Sequence, residues 1–154
     1  MSDLTSINDL AAALLRDVAP PARRKLLGRV AREIRKSQSD RIGQQIQPDG
    51  QRFAARKAEP QTKARARKGK IRRKAMFSKL RLAKFLKAGA DQGEAWIGFT
   101  GRAAAIARIH QDGLDDAPNR GGKKVRYARR VLLGLTDSEQ DRILDLLLEV
   151  VTQG

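Results

Sequence analysis

Cysteine is missing from this 154-residue sequence, and histidine occurs once, as His110. Without cysteine there can be no disulfide, no thiolate nucleophile and no cysteine-bound zinc or iron–sulfur site. A single histidine likewise excludes a metal site built from several imidazoles. Long apolar runs are also missing, since none approaches the roughly 20 residues that span a bilayer. The first residues show no basic segment followed by an apolar signal core, so we predict no membrane partner and a protein that is cytosolic or assembled in the cytosol.

Aromatic residues are scarce, at 4% of the chain, whereas 33 Lys and Arg stand against 17 Asp and Glu to give a net charge of +16. Residues 50–88 hold fifteen of the basic residues and one acid, a local charge of +14. Residues 137–149 have the opposite balance, with five acids and only Arg142 as a base. This asymmetry predicts an anionic partner for the middle of the chain.

The densest basic stretch has eight cations within residues 63–74, namely Lys63, Arg65, Arg67, Lys68, Lys70, Arg72, Arg73 and Lys74. It contains no aromatic side chain that could stack on a base. If it touches nucleic acid, it should therefore contact the backbone without reading sequence. An acidic protein face is an equally suitable partner. We predict that residues 50–75 form an exposed basic arm.

Apolar spacing predicts two N-terminal helices within a helical part at residues 1–47. The first covers residues 4–18 and is ended by Pro20 and Pro21, and the second runs from about residue 21 to 45. Residues 47–50 carry a strong turn signal. Residues 1–154 are treated as a single domain.

Further along, strands are predicted at 76–87 (with a short helix as the alternative), 94–99 and 124–132, separated by a turn at 90–93 and a helix at 101–111. Thr100 is the expected cap of that helix and Gly113 its C-terminal stop. The order Thr136, Asp137, Ser138, Glu139 matches a capping box that opens a final helix. The predicted class is α+β: two N-terminal helices, a small, mostly antiparallel sheet with a helix across it, and a C-terminal helix.

Apolar residues cover nearly the whole circumference of the final helix, which predicts burial on several sides. In so small a protein, another subunit can supply part of that cover. The oligomer interface candidates are Ile143, Leu147, Val150 and Val151. The charged middle and the acidic final helix would let identical subunits meet head-to-tail, as a closed ring requires.

Catalytic chemistry finds little support in the sequence. Neither Gly69-Lys70 nor Gly122-Lys123 has the glycine that a Walker A loop places five residues earlier. Asp112, Asp115 and Asp116 lie near His110 and suggest a general base pair or a cation site, but they lack an activated nucleophile and calcium-loop spacing. We predict no catalytic residues, no cofactor and no metal.

Five segments, taken in order, resemble the virion morphogenesis or tail completion family of contractile-tailed phages related to P2 and Mu. They are residues 32–42, Pro48-Asp49-Gly50 with Phe53, residues 69–77, residues 107–111 with Gly113, and residues 126–135. Together they cover roughly residues 31–150. Their order and spacing, more than any one motif, carry the resemblance.

The resemblance implies a structural role late in tail assembly, at the head-proximal end of the tail, with no catalytic residues. It also implies a homo-oligomeric ring, commonly sixfold or twelvefold, that contacts the tail tube or the connector and neck proteins of the virion. The arm would then contact an acidic neighbour or the packaged DNA. One alternative is a sequence-independent nucleic-acid-binding protein that uses residues 52–87. Another is an enzyme that acts on phosphates through metal bound at Asp112, Asp115 or Asp116.

Overall fold

A computed structural model describes residues 2–56 and 75–153, so the eight arm cations lie outside the described residues. Within these ranges the chain forms four helices and two two-stranded sheets, which is the predicted α+β class. In chain order the elements are α1 (Ser2–Leu15), α2 (Pro20–Gly43), β1 (Leu86–Ala90), β2 (Ala95–Phe99), α3 (Arg102–Asp112), β3 (Asp115–Asp116), β4 (Val125–Arg126) and α4 (Asp137–Gln153).

The chain divides into two compact units. The first comprises Met1–Ser37, Lys87–Gly98 and Leu135–Gly154, and the second comprises Gln38–Leu86 and Phe99–Gly134. The first unit has ten basic and eleven acidic residues, a charge of −1, and the second has 23 basic and six acidic residues, a charge of +17. The whole positive excess therefore belongs to the second unit.

The core of the first unit is built where α1 packs against α4 and the N-terminal part of α2. Its buried members lie at helical spacing on these three helices: Leu15, Leu26, Leu27, Val30, Ile34, Leu146 and Leu147. One side of α4 is thus buried within the chain. Leu148 and Val151 lie on its other side and are exposed, so the described part of the chain does not cover the helix on all sides.

The predicted capping box at the start of α4 is confirmed. The Thr136 N–H donates to Glu139 Oε2 over 3.0 Å, and the Glu139 N–H donates to Thr136 Oγ1 over 3.1 Å. Ser37 Oγ also donates to Glu139 Oε1 over 2.7 Å, which ties this helix end to α2 inside the first unit. Glu139 is buried, and these bonds satisfy it there.

The predicted strand at residues 76–87 is wrong for most of its length, because β1 begins only at Leu86. Residues 77–86 form consecutive turns instead: the Arg81 N–H donates to the Phe77 carbonyl over 3.1 Å, and the Leu86 N–H donates to the Leu82 carbonyl over 2.9 Å. Phe77 has a φ of +65°, which is incompatible with an extended chain. The predicted strand at 94–99 is confirmed as β2, which pairs with β1.

Asp91 closes the turn between β1 and β2. Its Oδ1 accepts the N–H groups of Gly93 and Glu94 over 2.7 and 2.9 Å. These two backbone bonds lower the pKa of the Asp91 carboxyl, because they stabilise its charged form. A short acidic side chain thus supplies the turn that the sequence predicted.

Two predictions around α3 have opposite outcomes. Gly113 ends the helix in the left-handed conformation, with φ 64° and ψ 55°, as predicted. Thr100 does not cap it: Gly101 holds the N-cap position and no side chain caps the helix. The Thr100 N–H instead donates to the Phe85 carbonyl over 3.0 Å.

The predicted strand at residues 124–132 is reduced to two residues. Val125 and Arg126 pair antiparallel with Asp116 and Asp115. After β4 the chain is irregular, so the rest of this prediction is wrong. In this irregular part the backbone N–H groups of residues 131–133 donate to the side chains of Gln47 and Gln111.

Candidate functional site

The candidate functional site is the base of the predicted arm, where the described chain stops at Arg56 and resumes at Ala75. The arm cations themselves lie outside the described residues. Five residues of the second unit hold the two ends of the arm, and we call them the arm anchor: Gln45, Phe53, Phe77, His110 and Arg130.

Arg130 fixes the chain that leads into the arm. Its Nε donates to the Ala54 carbonyl over 2.7 Å, and one terminal nitrogen donates to the Ala55 carbonyl over 3.0 Å. Only 4% of Arg130 is exposed, and this burial, followed by the charge of Arg56, lowers the pKa of its guanidinium. The planar guanidinium donates to two successive carbonyls from two nitrogens held in a fixed geometry, which the single ammonium of a lysine does not reproduce.

Gln45 fixes the chain that leaves the arm. Its Oε1 accepts the Met76 N–H over 2.6 Å, and its Nε2 donates to the Met76 carbonyl over 2.8 Å. The backbone carbonyl of Gln45 accepts the Phe53 N–H over 3.0 Å. One residue at the end of α2 therefore binds the chain on both sides of the arm.

Aromatic rings join the two sides directly. The Phe53 and Phe77 ring centroids are 5.4 Å apart, and the rings of Phe77 and His110 follow at 4.8 Å. His110 and Tyr127 continue the series at 5.0 Å. All three pairs meet edge to face, the favoured geometry for aromatic contacts. The two flanks of the arm thus share one apolar cluster.

Backbone strain is concentrated at the same place. Among the described residues, Gln45 and Phe77 are the non-glycine residues with positive φ, at 63° and 65°. Such conformations are uncommon and persist only where surrounding contacts impose them. Here each strained residue lies in the anchor, so the chain directions on both sides of the arm are imposed by packing.

His110 is held uncharged by its surroundings. Burial, followed by the charges of Arg130 and Arg56, lowers the pKa of its imidazole to about 4. Its Nδ1 lies 3.3 Å from a terminal nitrogen of Arg130, so the deprotonated Nδ1 is the acceptor of that contact. A neutral histidine beside a guanidinium is a structural arrangement, and it differs from the His–Asp pair that the sequence suggested.

Acidification is expected to destabilise the fold through His110. Between about pH 6.5 and pH 4 the unfolded chain binds a proton at this ring that the folded chain does not bind, so the free energy of unfolding falls as the pH falls. Partial solvent access limits the loss to about 1–2 kcal/mol. Urea titrations of the wild type and His110→Gln between pH 4 and pH 7 measure it. If both proteins lose stability equally over that range, His110 does not carry the effect.

The suspected cation site is not assembled in the described part of the chain. Asp115 Oδ1 is 3.0 Å from Arg126 Nε, and Asp112 Oδ2 is 3.9 Å from Arg108 Nε. No group of three or more potential metal ligands occurs among the described residues.

A groove of about 320 Å³ lies along α3, lined by Phe99, Ala104, Ala107, Arg108, Gln111, Asp112 and Leu133.

The four interface candidates on α4 occupy different environments. Leu147 is buried in the core of the first unit, and Ile143 and Val150 pack against that core. Val151 is 41% exposed. Their contact with another subunit stays a prediction.

None of the described helices is long and apolar enough to cross a bilayer.

A model of the phage virion morphogenesis family matches residues 2–152, nearly the whole chain. This chain belongs to that family. Among similar proteins is tail completion protein S of Escherichia phage P2, which is 34% identical over 149 residues, 96% of this chain and 97% of that protein. No solved structure matches the chain significantly. The family resemblance predicted from the five sequence segments is thereby confirmed.

The arm is a prediction from the sequence, whereas its anchor is visible only in the structure. The positions of Phe53 and Phe77 on the two sides of the charge run are the one local signal of a shared base. Nothing local marks Gln45 or Arg130, because their partners lie 31 and 75–76 residues away. Only the fold brings them together.

Proposed function

We propose that this chain is a structural protein that completes the phage tail and is a component of the virion. The observation that carries the proposal is the relationship to tail completion protein S of Escherichia phage P2, which extends over 96% of this chain and 97% of that protein. The family match over residues 2–152 supports the same role. The proposed work is binding and assembly, without catalysis, in one tail-completion domain that spans residues 1–154.

In this proposal the protein acts at the head-proximal end of the tail as a homo-oligomeric ring, sixfold or twelvefold, after assembly in the host cytoplasm. Its partners are the tail tube or the connector and neck proteins. The acidic residues of α4 and the charge of +17 on the second unit support head-to-tail contacts between identical subunits. Such contacts close into a ring when the rotation between subunits allows it.

The arm is proposed to contact either an acidic face of a neighbouring protein or the packaged DNA. The anchor supports this role, because Arg130 and Gln45 fix the chain on both sides of the arm. The described chain is thus fixed on the second unit shortly before and shortly after residues 57–74. A long loop in a compact protein, as the sequence predicts for these residues, is usually functional.

Removing arm charge is expected to leave tails that do not join heads. The variant carries Arg72→Ala, Arg73→Ala and Lys74→Ala, and is supplied from a plasmid to a phage that lacks this chain. Infectious particles should fall to the level of the empty plasmid, and electron micrographs should show separate heads and tails. A matched control removes three exposed cations of the first unit, with Arg16→Ala, Lys25→Ala and Arg32→Ala, and should complement normally. Normal complementation by the arm variant would refute the arm's role.

The concentration of +17 on one unit also favours a second candidate, a sequence-independent nucleic-acid-binding protein that uses residues 52–87. Direct phosphate binding weakens by close to tenfold per tenfold rise in salt for each phosphate neutralised. A steep salt dependence of duplex retention, lost in the same arm variant, would support this candidate. Weak retention of duplex DNA by the free protein would favour the assembly role.

A further inference from the structure

The exposed side of α4 carries acidic residues at every fourth position: Asp137, Asp141, Asp145 and Glu149. Residues four apart lie on one face of a helix, so these carboxylates form a single stripe. Glu149 is paired with Arg29 over 3.2 Å. Within the described ranges, no salt bridge reaches the other three. These three carboxylates are thus left without a salt bridge in the described part of the chain, although the charge of Asp145 helps to raise the pKa of the nearby Arg142.

Repulsion within the stripe is unfavourable for the isolated chain beyond the first turn of α4, where the helix dipole favours Asp137. Like charges four residues apart each destabilise a helix by a few tenths of a kcal/mol. Leu148 and Val151 lie beside the carboxylates and are 45% and 41% exposed. A surface that combines unpaired like charges with exposed apolar side chains is suited to a cationic protein partner that also offers apolar surface.

A surface of that kind is found on the second unit, at the hairpin formed by β3, β4 and the residues between them. In its turn the Gly122 N–H donates to the Asn119 carbonyl over 2.9 Å, and Gly121 has a φ of 79°, as a type II turn requires. Three exposed cations surround the turn: Arg120, Lys123 and Lys124. Within the described ranges, these cations form no salt bridge.

The base of this hairpin is held in place. Arg126 Nε is 3.0 Å from Asp115 Oδ1 across the two strands, and the Tyr127 N–H donates to the Leu114 carbonyl over 3.1 Å. Leu114 and Val125 are exposed beside the cations. The hairpin thus presents three positive charges next to two apolar side chains. Asp115 is paired with Arg126, and with Asp116 included the hairpin keeps a net charge of +2, opposite in sign to the α4 face.

We propose that the exposed α4 face of one copy docks on the β3–β4 hairpin of a second copy. Asp137, Asp141 and Asp145 would meet Arg120, Lys123 and Lys124, while Leu148 and Val151 cover Leu114 and Val125. The contact is heterologous, because each copy offers a different surface to each neighbour. It rests on the proposed ring and names the surfaces that build it. The arm cations take no part in it and stay available for the tail or for DNA.

A charge exchange tests the contact by sedimentation of the full-length protein over a range of concentrations. Reversal of the helix (Asp141→Lys with Asp145→Lys) should weaken self-association by about 100-fold, since like charges then face each other at the interface. Reversal of the hairpin (Lys123→Glu with Lys124→Glu) should do the same. The four changes together, or an equimolar mixture of the two variants, should restore assembly. Wild-type self-association should also weaken as salt is raised.

Matched controls reverse the same number of exposed charges elsewhere: Asp17→Lys with Glu94→Lys, and Lys79→Glu with Lys87→Glu. Both should assemble like the wild type. The proposal is overturned if either reversed variant assembles normally, or if the variant with all four changes does not recover self-association. It is also overturned if the wild type stays monomeric up to about 1 mM. Loss of duplex DNA binding with intact self-association in the hairpin variant would overturn it in favour of a nucleic-acid surface. The complementation assay decides tail completion independently of every one of these results.

Discussion

Arg130→Met is expected to lower the free energy of unfolding by about 2–4 kcal/mol. Methionine keeps much of the apolar stem but donates no hydrogen bond. The Ala54 and Ala55 carbonyls would both lose their donor, at 2.7 and 3.0 Å in the wild type. Hydrogen bonds from a charged group contribute about 1.5–3 kcal/mol each, and removal of the buried charge returns part of that loss.

Urea unfolding of wild type and variant, followed by circular dichroism, measures the difference. Arg129→Met is the control next to it in the chain, because Arg129 is exposed and its one described contact, to the Gln111 carbonyl, is long at 3.4 Å. That change should cost less than about 0.5 kcal/mol. Arg130→Lys should not recover wild-type stability, because a single ammonium cannot bind both carbonyls in the geometry of the fork. Equal stability of Arg130→Met and the wild type would show that the anchor does not depend on this residue.

The parts of the fold that were predicted correctly are those specified by nearby residues. Pro21 lies in the first turn of α2, the left-handed Gly113 ends α3, and Thr136 with Glu139 opens α4. Each of these signals acts through a backbone group within a few residues. The apolar periodicity of the N-terminal part also depends only on residues close together in the sequence, so it predicts α1 and α2 correctly.

The predictions that failed depend on partners far away in the sequence. Residues 124–132 have the composition of a strand, yet a strand forms only where another strand offers its backbone. Here β3 supplies two residues of pairing and no more. The arm shows the same division: its charge was plain from the sequence, whereas its anchor requires Arg130 to meet Ala55, 75 residues away.

Side chains replace the missing strand partner along residues 131–134. The Val131 N–H donates to Gln47 Oε1 over 2.9 Å, and Arg41 donates to the Leu132 carbonyl over 2.7 Å. Gln111 contributes most: its Oε1 accepts the N–H groups of Leu132 and Leu133 over 2.7 and 3.0 Å, and its Nε2 donates to the Leu133 carbonyl over 3.0 Å. Backbone groups near a core need such partners, whether or not a sheet provides them.

Gln111→Ala is therefore expected to lower the free energy of unfolding by about 2–4 kcal/mol, because it leaves three backbone groups without their partner beside the buried Leu132. Gln111→Glu separates the two kinds of bond. The carboxylate still accepts both N–H groups but repels the Leu133 carbonyl, so the loss should be smaller than for alanine. Gln44→Ala, an exposed glutamine at the end of α2, is the control and should change stability by less than about 0.5 kcal/mol.

Urea unfolding measures these differences, and amide hydrogen exchange locates them. In Gln111→Ala the N–H groups of Leu132 and Leu133 should exchange faster than in the wild type. The N–H groups in the core of the first unit should still exchange only through global unfolding, as in the wild type. If these two amides stay protected, another group satisfies them and Gln111 does not stand in for a strand. If they exchange faster while overall stability is unchanged, the side chain orders this segment without contributing to the stability of the second unit.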